Sequence, residues 1–437
     1  MTNNRGFTLI EMLVTMVLVI VVIMITGSAF ESILKSTGRL TSSEESNIEG
    51  VIGLEMFRHD LHQMGYGLPD TFLTPAPTYI EAKFAPANKF NDAPSGVPRP
   101  IASWDSLTGF TDTNADSSSS ETGTATTTAS SFSILDGTDY LAIKATTVGH
   151  NKTSKKWTYM TYSALAGAAF SERGPNKWSN TEENFVTGER VIVIKPTFTD
   201  SGTTKTLIFN NNNGGNASIY WSDVTTNSIS DAFRPGPADS TYFLYGVDDS
   251  ALGMPFNRAD YFVARPLNTS KIPATCAPNV GILYKATVNH KDGRLNYMPL
   301  LDCVADMQVV FGWDANNDGV ITESSAYSDT AAISVAGTAS VADIRTIMLD
   351  PIEIKNKLRY VKVYIMAQEG RKDANFTNTD VLVNNTYSVV VGDASSATPS
   401  NVNITKGYTA ANLAAKQWLN YRWKIYRIVV RPKNLSN

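Results

Sequence analysis

The chain opens on a long apolar run. After the short, polar and basic residues 1–6, positions 7–25 read FTLIEMLVTMVLVIVVIMI. At ~1.5 Å per residue, a helix of this length spans close to the ~30 Å hydrocarbon core of a bilayer. Beyond Gly27 the pattern becomes one-sided. Phe30, Ile33, Leu34, Ile48, Val51, Ile52, Leu54, Phe57, Leu61 and Met64 recur largely at three- and four-residue spacing, which marks an amphipathic helix. Glu44, Glu45, Glu49, Arg58 and Asp60 are assigned to its other faces. Gly65-Tyr66-Gly67-Leu68-Pro69 supplies stop signals. The pattern therefore predicts a helix over about residues 7–64, with Gly27 as a candidate bend.

Past the helix the period changes to two. Residues 140–146, 190–194, 207–209, 242–245, 261–263, 281–287, 307–311, 358–367 and 421–431 combine alternation with β-branched and aromatic side chains, the signature of strands. Polar, turn-rich stretches separate them. The longest, about residues 111–131, reads as a flexible surface insertion, and Asn210–Gly215 as a second loop. The expected fold is α+β: a long N-terminal helix, transmembrane and then amphipathic, packed on an antiparallel β-rich globular head with large insertions. The segments are 1–6, 7–27, 28–65 and 66–437. Extra β-elements around 85–260 are expected to form a second sub-domain.

Glu11 does not belong in a plain anchor, because a carboxylate in lipid costs several kcal/mol and needs a partner or a function. A removed secretory signal would carry its small-residue cleavage site after the apolar run. Here the small residue beside a sharp polar-to-apolar change is Gly6, before the run. Cutting there removes the basic leader and keeps the helix. Arg5 favours an orientation with the N-terminus inside and the rest exported.

Arg5-Gly6-Phe7-Thr8-Leu9-Ile10-Glu11 resembles the processing motif of bacterial type IV prepilins and type II secretion pseudopilins. The resemblance implies cleavage between Gly6 and Phe7 by a prepilin peptidase, and methylation of the new N-terminus at Phe7. It makes Glu11 the acidic assembly residue, which would neutralise the terminal amine of another subunit, or its own, at low dielectric. The LRYVKVYIMAQEGR strand, the FGWDANNDGV loop and the terminal YRWKIYRIVVRPKN strand resemble the PilW type of minor pilin more loosely.

Composition adds little to this picture but excludes some classes. Across 437 residues, 42% hydrophobic and 10% aromatic content suffice for a real core, and a net charge of −4 gives no case for nucleic acid. No P-loop, GxSxG, HExxH or CxxC is present, and an enzyme is the least supported class. His59, His62, His150 and His290 form no ligand pattern. Trp418 and Trp423 with Arg422 and Arg427 are explained by strand packing.

Two further sites are expected. Asp314, Asn316 and Asp318 place side-chain oxygens at alternate positions. Gly319 then permits a sharp turn, and Val320 would offer its carbonyl, which together suit a hard cation. The twelfth position is Ser325, so Glu323 or another loop would have to close the site. A structural calcium ion is preferred over an Asx-Gly turn. Cys276 and Cys303, in a head expected to be exported, are expected to pair around the strands at Tyr284 and Met298.

The implied function is that of a minor pilin promoting assembly or forming part of a tip complex. The rivals are a type II secretion pseudopilin and a tip adhesin with a ligand-binding head. Implied partners are other minor and major pilins, the prepilin peptidase and an inner-membrane assembly platform. The implied route runs from the inner membrane, with the head in the periplasm, to a surface pilus.

Overall fold

The computed structural model describes residues 9–112, 132–162, 174–199, 202–210, 219–225, 228–236, 241–249, 252–266, 268–327, 333–379, 387–392, 404 and 406–435. The expected insertion lies outside these beyond Asp112, as does most of the Asn210–Gly215 loop.

Helix α1 (Leu9–Gln63) runs unbroken through Gly27. It ends where Gly65 and Gly67 adopt positive φ, 78° and 70°. In chain order the early strands are β1 (Thr71–Phe72), β2 (Ile101–Leu107), β3 (Thr111–Asp112), β4 (Phe132–Ile134), β5 (Thr138–Ala145), β6 (Trp157–Thr161), β7 (Arg190–Thr199), β8 (Gly202–Ile208), β9 (Ser222–Asp223) and β10 (Thr241–Asp248). The later ones are β11 (Asn257–Pro266), β12 (Gly281–Val288), β13 (Leu295–Trp313), β14 (Thr322–Ser325), β15 (Val335–Ala336), β16 (Leu358–Glu369), β17 (Val389–Val391), β18 (Lys406–Tyr408) and β19 (Arg422–Val430). Three short helices, α2 (Val341–Leu349), α3 (Pro351–Lys357) and α4 (Ala410–Ala415), complete the described elements used below.

An eleven-stranded sheet contains β2–β5, β11–β16 and β19, and a six-stranded sheet contains β1 and β6–β10. Pairing is antiparallel except for β1 beside β8. Strand β13 organises the large sheet. Its first half pairs with β12 and its second half with β16, in register Met307↔Ile365.

Alternation along these strands builds two cores. Leu141, Ile143, Tyr261 and Val263 face α1, where they pack with Leu54, Phe57, Leu61 and Met64. Their neighbours Tyr140, Ala142, Phe262 and Ala264 face the other way and meet Ile192, Ile194 and Leu207 of the six-stranded sheet. The order is therefore helix, large sheet, small sheet. Phe57 stacks on Tyr261 with ring centroids 3.9 Å apart. A further cluster, with Tyr364, Met366, Tyr408 and Trp418, lies under the C-terminal elements.

Four expectations are corrected. Val51 and Ile52 do not share the buried stripe; they are 54% and 68% exposed. The contact line instead runs through Gly50 and Gly53, where a Cβ would collide with Leu301 and Leu300. Asp60 is not on a solvated face. It is buried, accepting from the Tyr261 hydroxyl at 2.6 Å and pairing with Lys285 at 2.5 Å. The stretch 85–260 does not close on itself, because β2–β5 join the large sheet and only β6–β10 form the second one. Trp418 precedes β19 rather than lying in it, buried with Nε1 donating to the Pro278 carbonyl at 2.7 Å.

Candidate functional site

The most unusual surface is the start of α1. Leu9, Ile10 and every large apolar residue from Met12 to Ile25 are 45–86% exposed. Residues at all angles around the axis are apolar, so no single face can be turned inward. An isolated soluble helix of this kind is unfavourable at roughly 25 cal/mol per Å² of apolar surface. Something outside the chain has to cover it. Thr15 and Thr26 keep their hydroxyls on the helix itself, donating to the Met12 carbonyl and to the Val22 carbonyl, so neither adds a polar face. Among the described residues no helix is long and apolar enough to cross a membrane. Gly6 and Phe7 lie outside the described residues. Glu11 falls within α1, but its side chain lies outside them.

The acidic loop at 314–320 is a tight turn closed by its own groups. Asp314 Oδ1 accepts from Gly319 N at 3.2 Å, and Asp318 Oδ1 accepts from Val320 N at 2.8 Å. Asn317 and Gly319 take positive φ, 56° and 80°. Asp314 Oδ2 accepts from Arg359 Nη2 at 3.0 Å, and these hydrogen bonds hold its carboxyl below the usual range. Asn316 and Asp318 are exposed. Glu323 is drawn away by its place in β14, accepting from the Tyr360 hydroxyl and pairing with Lys362, both at 2.6 Å. Among the described residues no three His, Cys, Asp or Glu side chains converge to hold a metal. The residues present do not form a ready-made calcium cage.

Cys276 and Cys303 form a disulfide, with Cα atoms 5.1 Å apart. It ties the loop before β12 to the middle of β13. Closing 27 residues of sequence separation stabilises by roughly 3.5 kcal/mol in the loop-entropy model.

A second set of polar residues escaped sequence reading. Lys144, Arg258 and Arg99 meet Glu81, Asp92 and Asp260 inside the head, three cations against three anions. Lys144 Nζ lies 2.8 Å from Glu81 and 2.6 Å from Asp92. Arg258 reaches Glu81 at 3.0 Å and holds both oxygens of Asp260, at 2.7 and 2.8 Å. It also donates to Asn91 Oδ1 and the Ala87 carbonyl, both at 2.7 Å. Tyr140 closes the group with a 2.6 Å bond to Asp260. Burial alone would push the Arg258 guanidinium down, but Asp260 and Glu81 hold it above its ordinary value. Burial pushes Asp92 up, and Lys144 and Arg99 more than reverse that. The cluster pins the irregular segment 81–99 to β5 and β11. Its one local signal is Arg258 and Asp260, opposite charges two apart on one face of β11. The arrangement is structural glue, since every member is committed to another.

The model of the prokaryotic N-terminal methylation motif matches residues 1–27. No curated protein and no solved structure matches the chain.

Proposed function

We propose that this chain is a subunit of a bacterial type IV pilus, incorporated as a minor pilin that promotes assembly or sits in a tip complex. The methylation motif at residues 1–27 carries the reading and supports a type IV pilin-like protein, of a pilus or a pseudopilus. The uncovered apolar start of α1 fits it physically. Its apolar circumference suits burial among like helices. In this reading the chain is structural and not an enzyme.

The proposed course is as follows. The precursor lies in the inner membrane with Arg5 inside and the head in the periplasm. A prepilin peptidase cuts between Gly6 and Phe7, and Phe7 is methylated. The freed amine then meets Glu11 in an apolar filament core, where the attraction is long-ranged and sets axial register. Major and minor pilins and an inner-membrane platform are the partners. A calcium ion at 314–320 belongs to the same proposal with one condition: Arg359 has to release Asp314.

Mass spectrometry of the mature protein tests the processing step. The expected N-terminus is methylated Phe7, and an intact Met1 in cells with active peptidase overturns it. Glu11→Leu is expected to leave the chain processed but absent from sheared filaments; normal incorporation defeats the assembly chemistry. Deleting the gene separates the two filament types. Loss of pili supports the pilus, whereas loss of protein export with pili intact assigns the chain to a secretion pseudopilus.

A further inference from the structure

A cavity of about 420 Å³ opens between β2, the end of β13 and the α2–α3 hairpin. Its floor is deep: Trp313 and Ile354 are 1% exposed. Phe90 and Trp104 give it an aromatic wall, and Met348 an aliphatic one. Its volume is within the range of small-molecule sites, which are mostly apolar with a few polar groups that orient the ligand.

The charge at this cavity has one sign. Its lining contains Lys89 and Arg99 and no carboxylate. Arg99 donates from Nε to Asp92, outside the lining, at 2.6 Å. Lys89 is exposed and has a different setting. Its ammonium lies 4.5 Å from the centre of the Trp104 ring and 4.7 Å from that of Phe110. Two aromatic faces hold the cation at the rim without neutralising it. The buried ion cluster described above pairs its carboxylates internally, so the cluster does not supply the missing anion.

We infer that this cavity binds a small organic acid with an aromatic or branched apolar body. The body would fill the apolar interior and the carboxylate would meet Lys89 at the rim, since Arg99 already holds Asp92. A neutral analogue of the same shape leaves the ammonium without an anion, and an amine is repelled. This inference does not rest on the filament reading, since it concerns the head alone.

The test uses the full chain in phospholipid nanodiscs, titrated calorimetrically with 4-phenylbutyrate and with its neutral amide. The acid is expected to bind at least tenfold more tightly than the amide. Lys89→Glu is expected to abolish that preference at unchanged melting temperature, because Lys89 is on the surface. Ala102→Leu, which fills the cavity, is expected to weaken the acid at least tenfold. Equal binding of acid and amide, no saturable binding, or an unaltered preference in Lys89→Glu overturns the inference. The Lys89→Glu comparison decides alone if Ala102→Leu does not fold.

Discussion

Gly53 of α1 lies against Leu300 of β13 so closely that a Cβ there would sit 2.3 Å from the Leu300 carbonyl oxygen. That is backbone against helix, with no flexible side chain to yield. At Gly50 the same atom would meet only the end of the Leu301 side chain, at 2.8 Å. Gly53→Ala is therefore expected to destabilise by about 1–3 kcal/mol, despite a gain of about 1 kcal/mol in helix propensity. Gly50→Ala should be clearly milder. Thermal unfolding of both variants checks the order, and equal melting temperatures would contradict the contact.

The buried ion cluster predicts asymmetric mutational costs. Arg258→Met leaves Glu81 with Lys144 and the backbone N–H groups of Asp92 and Ala93, and Asp260 with Tyr140, so one cation fewer faces the two anions. The expected loss is about 3–5 kcal/mol, the cost of an uncompensated buried charge. Adding Asp260→Asn to it should recover part of the loss, because one stranded anion disappears. Urea unfolding of the single and double variants measures this, and strictly additive losses would show that the groups act independently.

Buried His290 provides a pH signature. Its Nε2 lies 2.9 Å from Asn257 Oδ1. Asn257 donates its amide to the Thr146 and Val247 carbonyls, so the imidazole is the donor to Oδ1. Burial holds the His290 pKa down at about 4, against 6.5. The unfolded chain therefore binds more protons between these values, and stability falls as pH drops from about 6.5 to 4. The loss from this group is about 2 kcal/mol at pH 5 relative to pH 8. His290→Gln, which keeps a donor for Asn257, should show a flatter stability profile over pH 5–8. Identical profiles would rule out this histidine as the source.

Calcium at the 314–320 turn is expected to compete with Arg359. Arg359→Ala should enlarge any rise in melting temperature produced by millimolar calcium, because Asp314 loses the guanidinium that neutralises it. An identical calcium response in Arg359→Ala and the parent places the ion elsewhere or nowhere on this turn.

What the sequence disclosed, and what it hid, follows physical lines. Every strand expected from two-residue alternation exists, among them 190–194 within β7 and 358–367 within β16. The lower half of α1 was readable from Leu54, Phe57, Leu61 and Met64, since burial follows helical spacing. Asp60 was misplaced because its partners, Tyr261 and Lys285, are about 200 residues away along the chain and invisible to local pattern. The ion cluster was hidden for the same reason: Glu81 and Arg258 look like solvated charges until the segment 81–99 folds against β5 and β11. The 85–260 segment was misread as one unit because strand partners are chosen by tertiary pairing and not by proximity in sequence. At the candidate site, the N-terminal motif was legible because its signal is chemical and contiguous, and the methylation-motif model matches residues 1–27. The metal loop shows the opposite limit. Its spacing suits a cation, yet Arg359, forty-five positions onward, takes the first carboxylate.

The opening of α1 is oily on every side, and this bears on how such a chain can be moved. Passing it from lipid into a bundle of similar helices exchanges one oil for another, so avoidance of water supplies little drive for that step. In the proposed filament reading, fibre growth would then rest on packing between helices, and loss of that packing would return the same helix to the bilayer with the head still folded.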